Sequence, residues 1–530
     1  MRITNKIMQR NSLANINSNK ELQDKLTNQM STQKKISRAS DDPVVAIRAL
    51  RLRSNVTEVS QYYSKNIPDA ESWLSVTESA LKNSSDIIKS MIEQVTKGAN
   101  GDLTSDDRQI ILEQLKSLSS EVYATGDASY AGRYVFAGYR TDTALSFKNQ
   151  SVNTTYSITE QITKSEIDSV SHVNLGELAN WTNANYDTGA VAAVDETQIA
   201  QSTCYRIRLS YKDVDGALPS IEYYDETGAV QTITTTGVEL STDTTTYSPD
   251  PYSYVQDNPG EVILLRDTGE LLLGKNAYDK LMGTKDNPTT SLVNEAEIRV
   301  IYDKTQFAAT DLRPEHFFAC TATTWEVDAA GNNTTTAEKV IDYNQDYLKN
   351  YLEKQSIEYD VGFNQTIRVN TTADEAFDLG IGREITDLIN ALRDVTTLED
   401  LKADIEKKLT LTNDNGEIKI LNNQLSATEK ALTYAKDNMQ KRFEQGISAL
   451  QGYLDSTSLA ITNNGTRSSK LELIKGRMQN QKTTFETLKS ENEDIDITEV
   501  AIQLSSAELT YEAALTATGK IVKNTLLQYI

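Results

Sequence analysis

The chain has 530 residues, and its 76 Asp and Glu outnumber its 53 Lys and Arg to give a formal net charge of −23. This length implies roughly three or four domains, and the charge disfavours binding of the whole chain to nucleic acid or anionic lipid, because both are polyanions. No stretch approaches the ~18 consecutive apolar residues of a membrane span, and the N-terminus lacks the apolar segment of a cleavable signal peptide. Composition alone therefore predicts a cytoplasmic protein without membrane insertion.

The first 42 residues are predicted to form a terminal helix with a weak coiled-coil seam. Leu22, Leu26 and Ile36 have the spacing of such a seam, but the first half of the segment is rich in Asn and Ser. So few large apolar side chains do not readily offset the ~1–2 kcal/mol of backbone entropy that each residue loses on folding. We therefore expect this segment and the C-terminal helix to fold on assembly; the alternative is an antiparallel coiled coil closed within one chain.

The motif Ser40-Asp41-Asp42-Pro43 predicts the start of a helix. Asp42 can accept hydrogen bonds from the free backbone N–H groups of the first turn, and Pro43 suits the first helical position. A metal or catalytic dyad of Asp41 and Asp42 is disfavoured, because no His or further carboxylate lies nearby in sequence.

Two further helices are predicted before the middle of the chain. Between Leu74 and Val95, apolar positions recur at alternating steps of three and four, as in a helix that packs lengthwise on another. Gly98 is expected to end this helix. Thr104, with Asp107 three residues later, has the capping-box pattern that begins the next helix.

The middle of the chain, residues 148–360, is predicted to be a β-rich domain. Six of the eight prolines fall in this part, where loops between strands tolerate them. Apolar and polar residues alternate over 205–211, which is the period of a half-buried strand. A candidate hairpin joins 262–265 to 271–273 through an Asp-Thr-Gly turn.

Helical periodicity returns in the C-terminal part. No proline follows Pro314, which permits long helices in the last 216 residues. Steps of three and four recur after Leu379 and are clearest between Leu471 and Leu488. The last helix has a seam with several small or polar members, and its larger side chains are Val500, Leu504, Tyr511 and Ile521.

The order of helices, β-rich insert and helices predicts an α+β fold. Because the helical seams at both ends of the chain need partners, the simplest arrangement packs the N- and C-terminal helices together in an elongated rod. The predicted domains are a terminal helix (1–42), the N-terminal half of a helical rod domain (43–147), the inserted β-rich outer domain (148–360), the C-terminal half of the rod domain (361–490) and a C-terminal terminal helix (491–530).

Signals of an enzyme are weak, and we expect no catalytic residue, cofactor or metal. Residues 269–275 match the first part of a phosphate-binding loop, but Asn276 stands where Ser or Thr should bind magnesium. Cys204 and Cys320 form neither a metal-ligand pair by spacing nor a disulfide framework by number. The two histidines lie 144 residues apart and indicate no site of their own.

Several separated segments together resemble the bacterial flagellar hook-associated proteins, of the type found at the hook–filament junction. In the family's order, the segments are MRITNKIMQRNSLANINSN at the start, residues 30–47, residues 66–81, YAGRYVFAG at 130–138 and LTYEAALTATGKIVKNTLLQYI at the end. The resemblance covers roughly the first 147 and the last 150 residues. It implies a flagellin-like rod that serves as an axial structural subunit without enzymatic activity.

The resemblance also implies how the chain is exported and assembled. It is expected to leave the cell unfolded through the flagellar type III apparatus, with a cytosolic chaperone on its C-terminal region, and so to be extracellular without a cleaved signal peptide. Subunits are expected to self-assemble into a short helical ring between a neighbouring hook-associated protein and the flagellin filament. The expected interface residues are Leu22, Leu26, Ile36, Val500, Leu504, Tyr511, Ile521, Leu526, Leu527, Tyr529 and Ile530.

The chain departs from the family pattern in two places: its β insert is large for the family, and one position in the N-terminal segment differs. Members commonly have Gly before the Lys of the segment ahead of the Ser-Asp-Asp-Pro motif, where this chain has Gln33. Because Gln is a better helix former than Gly, Gln33 is expected to favour a continuous helix at this point.

Two alternative functions stay open at this level. Flagellin shares the helix–insert–helix plan, although flagellins typically have Ala where this chain has Pro43, and they end differently. The alternative from another class is a secreted enzyme or carbohydrate-binding module in the β insert, carried on a helical stalk. Clustered aromatic residues beside convergent carboxylates would favour that alternative.

Overall fold

The computed structural model describes residues 5–99, 103–215, 217–242, 246–247, 250–286, 296–327, 333–349 and 355–526. The chain divides into two compact units, which are described separately. The first comprises Met1–Glu71, Tyr359–Ile367 and Ser468–Ile530, and the second comprises Ser72–Glu358 and Arg368–Arg467.

Long helices occupy both ends of the chain. The first four are α1 (Asn5–Thr32), α2 (Pro43–Gln61), α3 (Ile67–Gly98) and α4 (Ser105–Thr125), with a π-helical turn at Tyr62–Asn66. Short helices in the middle are α5 (Asn183–Asp187), α6 (Pro251–Asp257), α7 (Lys275–Met282) and α8 (Ala373–Ala376). The last three helices are α9 (Gly380–Leu411), α10 (Asn415–Glu493) and α11 (Ile497–Leu526).

Strands occupy the middle of the chain. The early strands are β1 (Ser129–Tyr130), β2 (Arg133–Tyr134), β3 (Thr154–Thr163), β4 (Asp168–Asn174) and β5 (Ala200–Arg208). The next are β6 (Ser220–Tyr224), β7 (Val230–Thr234), β8 (Gly237–Glu239), β9 (Val262–Leu265) and β10 (Glu270–Leu273). The last are β11 (Glu297–Lys304), β12 (Ala319–Val327), β13 (Asn333–Tyr343), β14 (Glu358–Gly362) and β15 (Gln365–Arg368).

Two larger sheets form the centre of the second unit. A six-stranded sheet has the order β13-β12-β3-β11-β6-β7, and a five-stranded sheet has the order β4-β5-β10-β9-β8. Neighbouring strands in these sheets are antiparallel except for β8 and β9, which are parallel. Apolar side chains from both sheets share one buried core, which includes Ile158, Ile207, Leu271 and Val300.

The predicted strands and hairpin are present in this core. Residues 262–265 and 271–273 form the antiparallel hairpin of β9 and β10, and Gly269 in its turn has a φ of 72°, which a glycine adopts without strain. β5 covers the first part of the predicted strand at 205–211 and begins earlier, at Ala200. The stretch that resembles a phosphate-binding loop is thus largely a buried strand, β10, paired on both sides.

Helices from both ends of the chain pack together in the second unit. The Asn464 amide of α10 donates a hydrogen bond of 2.9 Å to the Leu74 carbonyl of α3. The Tyr123 hydroxyl of α4 donates to the carbonyl of Asp378 and accepts from the backbone N–H of Gly382, at the start of α9. The predicted association of N- and C-terminal helices is therefore confirmed within this unit.

A buried charge cluster joins the five-stranded sheet to α9. The Arg206 guanidinium on β5 is 3% exposed and bonds Glu270 of β10 at 2.6 Å and Asp387 of α9 at 2.5 Å. Burial alone would raise the pKa of Asp387, but Arg206 and Arg208 outweigh it and hold that pKa below its usual value. Since a buried charge is tolerated only with partners, the cluster fixes the packing of α9 on the sheet.

The helix predicted to continue through Gln33 does not do so, and this expectation was wrong. α1 ends at Thr32, and Gln33 has a φ of 57°, in the left-handed region. The reason is tertiary: residues 33–35 pair through their backbone with residues 493–495, which a continuing helix would prevent. The hydrogen bonds run from the Lys35 N–H to the Glu493 carbonyl and from the Ile495 N–H to the Gln33 carbonyl.

The predicted fold class is confirmed: the chain is α+β, with long N- and C-terminal helices and a central sheet-rich region. The capping box of Thr104 and Asp107 begins α4, as predicted. Cys204 and Cys320 are both buried free thiols. The domain boundaries drawn from the sequence stay a prediction.

Candidate assembly surface of the terminal helices

The first unit contains a pair of terminal helices, α1 and α11, that pack on each other. α1 runs towards the paired residues 33–35 and α11 runs away from their partners 493–495, so the two helices are antiparallel. Leu26 of α1 is 3% exposed and packs with Val500 and Ala507 of α11. The seam is thus closed within one chain, which is the alternative to folding on assembly.

The buried face of α1 differs from the seam predicted by spacing. It passes through Ile16, Gln23, Leu26 and Met30, several of which are polar or only half-buried. Leu22 is 47% exposed and lies off this face, so it makes no part of the seam within one chain, and its place at an interface between subunits stays a prediction. Polar members obscure the true register, because apolar spacing is the signal that sequence patterns provide.

The other predicted interface residues fall into three groups. Val500 is buried, and Leu504 and Tyr511 are half-buried on the same face of α11; Ile36 is half-buried beyond α1. Ile521 and Leu526 belong to α11, but their side chains lie outside the described part of the structure. The remaining residues, Leu527, Tyr529 and Ile530, lie outside the described residues altogether.

Exposed apolar side chains are frequent on the helices of the first unit. On α11, Ile502 and Leu509 are 66% and 69% exposed, and they lie seven residues apart on the face opposite Val500 and Ala507. A spacing of seven keeps both on one face of a helix. Other exposed apolar residues on these helices are Ile7, Met8, Leu13 and Leu22 of α1, Val44, Ile47 and Leu50 of α2, and Ile497 and Leu515 of α11. Large apolar side chains gathered on one exposed helix face, as Ile502 and Leu509 are, are typical of a protein–protein interface.

The Ser-Asp-Asp-Pro motif lies directly before α2. Asp42 Oδ1 accepts from the backbone N–H groups of Val44 and Val45 at 3.0 and 3.1 Å, and Pro43 is the first helical residue. Asp41 Oδ2 accepts from the N–H groups of Arg38 and Ser37, and these bonds lower the pKa of Asp41. The two carboxylates therefore hold the backbone on either side of the helix start.

Ion pairs reinforce the backbone pairing of residues 33–35 with residues 493–495. Arg53 of α2 binds the Glu493 carboxylate through Nε and Nη2, at 2.6 and 2.7 Å. Lys34 Nζ contacts Asp494 and lies 3.7 Å from Glu493. The hydrogen bond from Arg53 lowers the pKa of Glu493, and the one from Lys34 lowers the pKa of Asp494. We refer to this set of residues, Lys34, Arg53, Glu493 and Asp494, as the terminal clasp.

Sequence reasoning missed the clasp. Its two basic members lie more than 400 positions from its two acidic members, and no local pattern links residues so far apart. Gln33, which departs from the family pattern, lies next to Lys34 of the clasp, but its helix propensity favours the opposite conformation.

Two absences concern the described residues. Among them, no group of three or more His, Cys, Asp or Glu is arranged to hold a metal ion. Within the same part of the chain, no helix combines the length and the hydropathy that a membrane span requires.

Comparison with known proteins identifies relatives of part of this chain. Residues 3–141 match the family model of the bacterial flagellin N-terminal helical region. The chain is 31% identical over 145 residues to flagellar hook-associated protein 3 of Salmonella typhimurium, which covers 27% of this chain and 45% of that protein. It is 27% identical over 122 residues to a flagellin of Clostridium tyrobutyricum, which covers 23% of this chain and 32% of the flagellin.

The chain therefore aligns with less than half the length of these two relatives. A solved structure of flagellar hook-associated protein 3 from Legionella pneumophila aligns with 83% of this chain and 98% of its own, at 10% identity and a TM-score of 0.28. The sequence matches confirm the resemblance to flagellar hook-associated proteins that the motifs indicated.

Proposed function

We propose that this chain, whose residues 3–141 match the bacterial flagellin N-terminal helical region, is a structural axial subunit that joins the flagellar hook to the flagellin filament. The observation that supports this role is the paired terminal helices with large apolar side chains left exposed on their outer faces. Exposed side chains of this size gain most by burial against other subunits, each by roughly 1.5–3 kcal/mol when fully buried. No step of this role is catalytic.

The proposed partners follow from the same reasoning. Neighbouring copies would form a short helical ring, with another hook-associated protein on one side and flagellin on the other. The interface would combine Leu22 and the outer face of α11 at Ile502 and Leu509 with the C-terminal residues 526–530. Export without a cleaved signal peptide, assisted by a cytosolic chaperone on the C-terminal region, is part of the proposal and places the protein outside the cell on the flagellum.

A filament subunit is the second candidate, because a flagellin is also among the relatives. The junction role is favoured by the longer and more identical match to flagellar hook-associated protein 3. The two roles differ in where the protein is found. Labelling of the protein on intact cells is expected to give a signal confined to a point between hook and filament. Signal along the whole filament would instead show that the chain is a flagellin.

A variant pair tests the proposed surface. Replacing Ile502 and Leu509 by Asn removes the exposed apolar pair and is expected to prevent filament attachment in cells. The matched control replaces Gln503 and Thr510 by Asn, since these neighbours have the same spacing of seven and are also exposed. Thermal unfolding of both purified variants should match the native chain, because neither pair contacts the seam. Full attachment with Asn at 502 and 509 would contradict the role of this face.

A C-terminal truncation tests whether the last residues take part in assembly. Removal of residues 525–530 is expected to impair filament attachment while leaving secretion into the medium detectable. Retention of full assembly would reject the assignment of this end to the interface.

A further inference from the structure

Helix α2 carries large apolar side chains and arginines on one exposed side. Val44, Ile47 and Leu50 are 66%, 54% and 65% exposed. Arg48 and Arg51 are also exposed, and positions 44, 47, 48 and 51 have the i, i+3, i+4, i+7 spacing that places residues on one side of a helix. The side chains of both arginines form no hydrogen bond or ion pair with any described residue. We refer to these five residues as the α2 face.

The α2 face is not needed to hold α2 in the fold. The helix packs through its opposite side, where Ala46 and Ala49 are buried. Three large apolar side chains that are exposed within seven residues indicate an interaction surface. Because two arginines stand among them, the surface that complements the α2 face combines apolar with acidic side chains.

The outer side of α11 has this complementary character. Ile502 and Leu509 are 66% and 69% exposed. Glu508 and Glu512 are exposed beside them, and positions 505, 508, 509 and 512 repeat the spacing of the α2 face. The side chains of both glutamates form no hydrogen bond or ion pair with any described residue. We refer to Ile502, Glu508, Leu509 and Glu512 as the α11 face.

The two faces have opposite charge. Among the described side chains of α11, Lys520 is the only basic one, and it lies eight residues beyond Glu512. In residues 43–53 of α2, by contrast, every charged residue is an arginine. Both faces are exposed within the same chain, so neither covers the other, and a further molecule has to supply the complementary surface.

We infer that the α2 face of one copy docks on the α11 face of a second copy. The two arginines pair with the two glutamates, and the apolar side chains of α2 contact Ile502 and Leu509. Such a contact is heterologous, since each copy offers its α2 face to one neighbour and its α11 face to the other. Heterologous contacts form a ring when the rotation between copies closes and a helical array when it does not. The inference rests on the self-assembly proposed above and names the surfaces that carry it.

A helix face that combines apolar and basic residues also suits a membrane of anionic lipid. Two observations favour a second copy over lipid. The net charge of −23 repels an anionic surface from the chain as a whole, and the chain itself carries the matching acidic face on α11. Lipid binding is therefore the competing outcome in the experiments that follow.

Charge reversal tests the contact in the full chain. Arg48→Glu with Arg51→Glu turns the α2 face acidic, and Glu508→Arg with Glu512→Arg turns the α11 face basic. Each double variant is expected to lower the fraction of cells with attached filaments at least about tenfold, because like charges then meet in the contact. The variant with all four changes restores opposite charges and is expected to recover at least about half of the native attachment.

Two measurements separate the contact from folding and export. Thermal unfolding of each purified variant should match that of the native chain, because the four replaced residues are exposed. The amount of each variant secreted into the medium shows whether export is intact.

A matched control separates the contact from net charge. It combines Arg48→Glu and Arg51→Glu with Glu472→Arg and Glu486→Arg, which are changes at exposed residues of α10 in the same unit. This variant has the net charge of the variant with all four changes but lacks the restored contact. It is expected to remain as defective as the double variant with an acidic α2 face.

Recovery in this control would overturn the inference, and so would native attachment in either double variant or no recovery in the variant with all four changes. These outcomes are distinct from the proposed function, which labelling of the native chain on intact cells decides. A signal at the junction together with failed recovery rejects the contact alone.

Sedimentation with vesicles of phosphatidylglycerol tests lipid as the partner. The native chain is expected to stay in the supernatant. If it sediments with the vesicles, and if the double variant with an acidic α2 face and the variant with all four changes both lose this binding, the α2 face binds lipid and the inference is overturned.

Discussion

Arg53 and Glu493 lie 440 positions apart in sequence and meet in a two-point ion pair, with Nε and Nη2 of the arginine on the two carboxylate oxygens. The Glu493 side chain is 3% exposed, whereas Arg53 is 56% exposed. The exposed Arg53 guanidinium therefore compensates the buried charge of the Glu493 carboxylate. It belongs to the terminal clasp, which holds the end of α1 against the end of α10.

Arg53→Met is expected to destabilise the first unit by about 2 kcal/mol. The buried Glu493 carboxylate would lose its strongest donor, and the exposure of Arg53 keeps the loss below that of a fully buried pair. Urea denaturation measures the change, and hydrogen exchange of the Lys35 and Ile495 amides locates it. Arg51→Met is the control, since Arg51 is exposed and has no bonded partner among the described residues. Equal stability of the two variants would contradict the clasp.

The stability lost in Arg53→Met is expected to become smaller as the pH is lowered. The pKa of Glu493 is lowered from its usual 4.5 by Arg53. A lowered pKa in the folded state contributes stability that is present above pH 4.5 and is lost as the pH falls through the folded-state value. The free energy of unfolding of both proteins, measured from pH 7 down to about pH 2.5, should therefore converge at the acid end. A difference that stays constant over this range would exclude the ion pair as its cause.

Gln33→Gly and Gln33→Val are expected to act in opposite directions. At the φ of 57° that residue 33 adopts, Gly avoids the ~1–2 kcal/mol penalty of left-handed backbone. Gly also raises the entropy of the unfolded chain, which offsets part of this gain. Gln33→Gly should therefore be neutral or stabilise the protein by up to ~1 kcal/mol. Val, which is β-branched, should destabilise by ~1–2 kcal/mol. If residue 33 were helical, Gly would instead cost ~1 kcal/mol. The sign of the Gly effect in thermal unfolding therefore decides between the two conformations.

Gly98→Ala is expected to destabilise the second unit by ~1–3 kcal/mol, because the added Cβ would overlap the buried ring of Phe443. Gly465→Ala is the control within α10: its Cβ meets nothing within 4 Å, so helix propensity alone should stabilise the protein by up to ~1 kcal/mol. Combining Gly98→Ala with Phe443→Leu should cost less than the sum of the two single changes. Strict additivity in urea denaturation would show that the two residues are not in contact.

Local patterns in the sequence determined much of this fold. The capping box at Thr104 and Asp107, the cap at Asp42 and the hairpin of β9 and β10 all depend on residues within a few positions of each other. Their hydrogen bonds and periodicities are therefore readable without knowledge of the rest of the chain. The order of helices, strands and helices, and with it the α+β class, followed from the same signals.

Tertiary structure alone decided the features that depend on distant partners. Gln33 favours a helix by propensity, yet backbone pairing with residues 493–495 bends the chain there. Leu26 rather than Leu22 became the buried leucine of α1, because the register of a weak, polar seam is set by the facing helix. The buried ion pair of Arg206 with Asp387 forms only where α9 packs on the five-stranded sheet. At Gln33 a favourable contact between segments far apart in sequence outweighs a local helix preference of at most about 1 kcal/mol.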